Sequence, residues 1–141
     1  MVESYQVQFA PYHLNDQTVN QAIDDVLKAV KVLSKEPQQY GLIHSDLHTG
    51  NFHFDGKVIK VFDFDDCGFQ HFMHDIAIPL YYLPWQFPHE NDEEEVLAFS
   101  KMFLSHFLKG YEKEYSIHSL EHLPLFLKFR DCELYAVLHK S

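Results

Sequence analysis

The segment GLIHSDLHTGNFHFDGKVIKVFDFDD, residues 41–66, carries three histidines, five aspartates and one asparagine. Carboxylates at this density are costly to bury, because each needs a partner, a proton or a metal. Here they alternate with Ile43, Phe52, Phe54, Val58, Ile59, Val61 and Phe62, residues that favour a core. His44, Asp46 and Asn51 fit the spacing H-x-D-x-x-x-x-N, and Asp63-Phe64-Asp65 follows. Phosphoryl transfer needs such parts: one carboxylate orients an acceptor hydroxyl and can take its proton, while an amide oxygen and a second carboxylate hold Mg2+ on the phosphates. Mg2+ prefers hard oxygen ligands and keeps several waters, so one Asn and one Asp suffice. Each half of the pattern is weak alone, and the two together, with Asp75 following, are specific.

The surrounding elements must gather these residues. FHFDGKVIKVFDF predicts a β-hairpin turning at Asp55-Gly56, with Phe54 facing Lys57, Phe52 facing Ile59 and Asn51 facing Lys60. Asp63 then lies about 10 Å further along the strand. Upstream, Val19, Ala22, Ile23, Val26, Leu27, Val30 and Leu33 form a helical stripe, with Asn15, Asp16 or Thr18 as its cap. Beyond DDCGFQHFMHD the chain reads as helical: a short apolar segment, DIAIPLYYL, capped by Asp75, then a helix opening on acidic residues at NDEEE. SLEHLPLFLKFRDCELYAVLHK supplies one or two final helices, with a break near Pro124.

Composition narrows the function. The 141 residues suit one domain with a sizeable core, and 46% hydrophobic content is that of a globular protein. The formal charge is −10 and Arg130 is the sole arginine, which argues against binding nucleic acid by phosphate neutralisation. The acidic balance is compatible with a cationic substrate and equally with a role in solubility. Cys67 and Cys132 match no metal or redox spacing and are expected to be reduced thiols. With neither a signal peptide nor an apolar run of membrane-spanning length, a cytoplasmic protein without membrane contact is expected.

Residues 40–83 resemble the catalytic segment of the aminoglycoside phosphotransferase family, whose relatives include choline kinases and bacterial homoserine kinases. The strings that carry the resemblance are GLIHSDLHTGN, VFDFDDCG and HDIA; FLKGYEKEY and LPLFLKFRDCELY resemble the family's C-terminal helices. The resemblance implies an α+β, mainly helical fold: a protein-kinase-like C-terminal lobe with a catalytic β-hairpin. It implies that Asp46 is the catalytic base, that Asn51 and Asp63 bind Mg2+ and through it ATP, and that His44 and Asp75 brace the loop. Asp65 stands where kinases often have the glycine of D-F-G, which leaves metal binding by Asp63 intact.

Such kinases also have an N-terminal lobe with a phosphate-covering loop, a phosphate-binding lysine on a strand and an adenine hinge. None is legible before Asp46, and Lys28 and Lys31 lie on the amphipathic helix. Residues 1–141 are therefore expected to be one domain, the C-terminal lobe alone, as a fragment or truncated chain. The implied function is ATP- and Mg2+-dependent phosphorylation of a small-molecule hydroxyl, of the amino sugar, choline or homoserine class, with the isolated lobe inactive. The alternative is a catalytically silent interaction module, a homodimer formed through the face left by the missing lobe.

Other readings fit parts of the pattern less well. His44-Ser45-Asp46 matches the start of a non-haem iron facial triad, and His74-Asp75 matches a metal phosphohydrolase, whose helical fold is at odds with the hairpin. His48, His53, His71 and His74 have no usual zinc spacing and read as loop or surface histidines. Asp65 and Asp66 read equally as substrate-side acids and as solvated loop carboxylates. Tyr81, Tyr82, Trp85 and Phe87 beside Glu90 and Asp92 would suit a cationic amine, or a core stripe before an acidic helix start.

Overall fold

The computed structural model describes residues 17–87 and 92–138. Helix α1 (Gln17–Lys31) buries Ile23, Val26, Leu27 and Val30, the centre of the predicted stripe, and Lys28 and Lys31 close its last turn. Asn15 and Asp16, two of its expected caps, lie outside the described residues, and Thr18 falls within the helix.

The chain then enters strand β1 (Tyr40–Ile43), which pairs antiparallel with β4 (Gly68–His71) in the register Tyr40↔His71 to Ile43↔Gly68. This sheet adds a strand at GFQH, a segment for which the sequence pattern predicts no element. Its outer face carries the cross-strand pair Leu42 and Phe69, 64% and 67% exposed, while Gln70 and His71 are buried. Ile43 is buried too, and Gln70 and His71, being consecutive, are buried on opposite faces next to an exposed Phe69, so β4 lacks the apolar–polar alternation by which a half-buried strand is recognised.

The two-stranded sheet closes a long excursion, residues 44–67, that holds His44, Asp46, Asn51 and Asp63. A single 3-10 turn (Thr49–Asn51) leads into the hairpin of β2 (Phe52–Phe54) and β3 (Ile59–Val61). The hairpin forms as expected, but its register is Phe52↔Val61, His53↔Lys60 and Phe54↔Ile59, two residues from the predicted one. The Asp55 carboxylate sets it by accepting from the backbone N–H groups of Lys57 (2.9 Å) and Val58 (2.8 Å). Asp55 thus opens the turn, and Gly56, at φ 94°, is the first of two central residues, a left-handed position that suits glycine.

Helix α2 (Phe72–Tyr82) starts directly after β4, so Asp75 lies in its first turn rather than capping it. A short 3-10 segment (Leu83–Gln86) follows. Helix α3 (Glu93–Tyr111) begins with Asp92 accepting from Glu94 N–H and runs along the surface with no fully buried residue. The last helix, α4 (Leu123–Leu138), is continuous. Pro124 stands in its first turn, where its missing N–H costs nothing, so the expected break is absent. Helix α4 packs on both α1 and α2. Phe126 and Phe129 fill the centre of the core with Ile23, Ile76 and Ala77 around them.

Candidate active site

Two left-handed residues shape the excursion, Ser45 at φ 73° and Asp63 at φ 59°. L-residues adopt this conformation at a cost and mainly where surrounding contacts over-determine it. For Ser45 those contacts come from α2. Asp75 accepts the backbone N–H of Ser45 (3.1 Å) and, more weakly, that of His44 (3.4 Å). The half-buried carboxylate sits in the first turn of α2, where the helix dipole favours negative charge.

His44 ties the loop to the hairpin. Its Nδ1 accepts from Asp46 N–H (3.2 Å), which leaves the ring proton on Nε2 to donate to the Phe62 carbonyl (3.0 Å). In the observed register Asn51 faces Phe62, whose N–H donates to the Asn51 carbonyl (3.0 Å). Asp63 therefore follows immediately after the partner of Asn51 instead of lying three residues beyond it. The register correction draws these two side chains to one end of the hairpin.

Asn51 is buried, and its amide nitrogen is spent: Nδ2 donates to the Asp46 carbonyl (2.8 Å) and to Asp46 Oδ2 (3.1 Å). Its Oδ1 accepts no hydrogen bond among the described residues and is left for a cation. Asp63 is exposed and gives Oδ1 only to a long contact with Asp65 N–H (3.4 Å). An amide oxygen and a carboxylate are the hard oxygen donors that Mg2+ or Ca2+ takes, so these residues fit a divalent cation completed by phosphate and water.

The other oxygen of Asp46 belongs to α4. Arg130 Nη2 donates to Asp46 Oδ1 at 2.6 Å. Arg130 Nη1 donates to Glu133 (2.8 Å) and to the Ser45 carbonyl (3.4 Å). Nε and Nη2 both donate to the Tyr82 hydroxyl, at 3.2 and 3.0 Å. All five guanidinium N–H groups are thereby used. Burial is the largest single influence and disfavours the charge, but Glu133 and Tyr82 together outweigh it and hold the Arg130 pKa above its ordinary value. Glu133 in turn accepts from His74 Nε2 at 2.8 Å. That fixes the ring proton on Nε2 and leaves His74 Nδ1 buried without a partner.

Beside Asp46 opens a cavity of about 530 Å3, lined by Asp46, Asp66, Gln70, Tyr82, Arg130 and Glu133 among others. The Tyr82 oxygen accepts from Arg130, so its own proton is available as a donor there. Asp66 reaches this cavity, whereas Asp63 and Asp65 do not line it. Of the aromatic stretch, Tyr81 donates to Asp131 (2.7 Å) and Trp85 is exposed, so only Tyr82 faces the cavity.

The histidines need correction. His53 is exposed as expected, but His71 and His74 are buried. His48 belongs to the loop itself, accepting from Gly50 N–H (3.0 Å), lying against the Tyr82 ring at 5.1 Å and pointing Nε2 at Asp46 Oδ1 (3.5 Å). A Cβ on Gly50 would approach this ring to 2.8 Å, so glycine permits the contact. Among the described residues no three His, Cys, Asp or Glu side chains form a metal cluster. Tyr82 was singled out in the aromatic stretch, but Arg130 and Glu133 were not anticipated as site residues from the sequence. A signal existed: the sole arginine stands four residues after Phe126 on the face of α4 that packs on the core.

The chain matches the model of the phosphotransferase enzyme family over residues 3–115. It is 38% identical to an amicoumacin kinase of Bacillus subtilis (strain 168), over 98% of this chain and 41% of that protein. It is also similar to a solved amicoumacin kinase, hAmiN in complex with AMP-PNP, Ca2+ and Ami. The TM-score is 0.82 at 40% identity, over 96% of this chain and 41% of that one. This chain thus spans about two fifths of the length of both relatives. Its fold is the mainly helical, C-terminal-lobe portion of a kinase-like phosphotransferase. Fold, motif and sequence agree, and the chain belongs to the phosphotransferase enzyme family.

Proposed function

We propose that these residues form the acceptor- and metal-binding lobe of an ATP-dependent kinase that phosphorylates a hydroxyl of a small molecule. The observation that carries this reading is the placement of Asp46. Its Oδ2 accepts from Asn51 at the hairpin end, its Oδ1 accepts from Arg130, and the residue lines the cavity. An acceptor seated in the cavity would present its hydroxyl to the Asp46 carboxylate, which orients it and takes its proton as the bond to phosphorus forms. Asn51 Oδ1 and Asp63 would hold the divalent ion, which when bound neutralises charge on the nucleotide phosphates. His44 and Asp75 keep the loop in the conformation that presents Asp46.

Similarity to two amicoumacin kinases, one solved with AMP-PNP and Ca2+, supports nucleotide and divalent-metal use and an antibiotic-like acceptor. The cavity's Asp66 would also suit a cationic group on the acceptor. The test is phosphorylation of amicoumacin, kanamycin, choline and homoserine by the full natural protein that carries these residues. Asp46→Asn is expected to lower turnover by about 10²–10⁴-fold, the range of a lost general base. Turnover at the parental rate would remove Asp46 from this role.

A further inference from the structure

Arg130 is the only described cation bonded to Asp46, and it reaches that carboxylate from the far end of the chain. It could act as a latch that blocks Asp46, as a ligand for a substrate anion, or as a fixed support. Its bonding decides among them. A latch needs a weakly held, mobile side chain, but Arg130 is only 8% exposed and uses every N–H on Asp46, Ser45, Glu133 and Tyr82. A substrate anion would find no unspent donor on it. Its support is itself supported, because Glu133 is shared with His74, packed between Phe126 and Phe129 at 5.6 and 4.7 Å between ring centroids.

His74 is informative because it is buried with Nδ1 unpaired, whereas a phenylalanine would bury no unpaired nitrogen but would leave Glu133 without this donor. What the imidazole adds is its Nε2–H on Glu133. The line His74–Glu133–Arg130–Asp46 therefore runs from the centre of the core to the carboxylate, each member holding the next by a bond of 2.8 Å or less.

We propose that Arg130 is a positioning residue for phosphoryl transfer, fixing Asp46 Oδ1 so that the carboxylate is held in one orientation towards the acceptor hydroxyl, with Glu133 and His74 fixing Arg130 in turn. The inference rests on the reading of Asp46 as the base. It requires no movement of Arg130 during the reaction and no contact between Arg130 and substrate.

The experiment compares parent, Asp46→Asn, Arg130→Ala, Arg130→Lys and His74→Phe in the full natural protein, with ATP and the four acceptors named above. Arg130→Ala is expected to lower kcat on the order of a hundred-fold, the effect of a small misplacement of a reacting group, with KM for ATP unchanged. Added guanidinium at millimolar concentration should restore much of that loss, a rescue that a purely structural role would not show. Arg130→Lys, which keeps the charge but loses the fork, should stay impaired. His74→Phe should still give a cooperative melting transition while lowering kcat.

If Arg130→Ala does not fold, Arg130→Lys and His74→Phe carry the kinetic test. A urea double-mutant cycle between Asp46→Asn and Arg130→Gln in the 141-residue chain should also be non-additive. Parental kcat in the Arg130 variants alongside a dead Asp46→Asn would overturn the positioning role and leave the base in place, and additive cycles or faster turnover without Arg130 would also overturn it. A parent without turnover, or an active Asp46→Asn, would take away the reading of the base and the inference together.

Discussion

The histidines and cysteines show how far a residue's behaviour is set by where the fold carries it. His71 is 4% exposed, with Nε2 on the Ser34 carbonyl, Nδ1 facing Gln70 Oε1 and the rings of Tyr40 and Phe126 against it. Burial pushes its pKa below the ordinary histidine value. The Ser34 carbonyl opposes this in part, and Lys35, His122 and His74 reinforce it. The unfolded chain therefore takes up this proton first. Its contribution to stability is full above the unfolded value, about pH 6.5, and is lost as the pH falls below it. Urea midpoints should drop between about pH 7.5 and about pH 5, and His71→Gln should flatten that part of the profile. Among the thiols, burial pushes Cys132 up to about 11, whereas Cys67 is exposed. Iodoacetamide at mildly alkaline pH should label Cys67 first, and mass mapping that finds Cys132 labelled faster would contradict the packing of α4.

At the scale of elements, the loop before Asp46 depends on a helix that follows it in the chain. Asp75→Ala would leave the half-buried N–H groups of Ser45 and His44 without their acceptor and should cost about 2 kcal/mol by urea unfolding. Asp75→Asn, which keeps one oxygen acceptor, should cost less. Much of this arrangement was legible in advance. The stripe of α1, the hairpin, the acidic start of α3 and the spacing from His44 to Asn51 are local patterns, and local patterns survive folding. The β1–β4 sheet was not legible, because exposed Leu42 and Phe69 and the consecutive buried pair Gln70 and His71 leave no apolar–polar alternation to read. The hairpin register was missed by two residues because the side chain of Asp55, not the Asp-Gly pair, sets the turn. Arg130 and Glu133 were missed for a third reason: nothing local marks a pairing across most of the chain.

At the scale of the whole molecule, apolar surface is the unresolved account. The cross-strand pairs Leu42–Phe69 and Phe54–Ile59 leave all four side chains more than half exposed, and Phe64 beside the candidate metal ligand is 55% exposed. Large apolar side chains left exposed in this way tend to mark an interface. Where the 141-residue chain is alone, it is expected to self-associate through the hairpin and the β1–β4 sheet and to turn over no measurable ATP. Sedimentation equilibrium with a coupled ATPase assay checks both, and Phe69→Lys with Leu42→Lys should shift the distribution towards monomer. A monomeric parent that hydrolyses ATP would contradict each half. Among the described residues no helix is long and apolar enough to cross a membrane.

The bond between Asp46 and Arg130 spans 84 residues, and that separation gives the site a history during synthesis. At about 5–20 residues per second, the ribosome adds Arg130 roughly 4–17 s after Asp46. For most of that interval, from the addition of Asp63 onward, the nascent chain carries His44, Asp46, Asn51 and Asp63, but the Asp46 carboxylate has no guanidinium to hold it. A premature stop codon anywhere between Asp75 and Arg130 would yield a product with the whole recognisable signature and an unfinished site. Surveys that count such genes by their motif alone would score that product as intact.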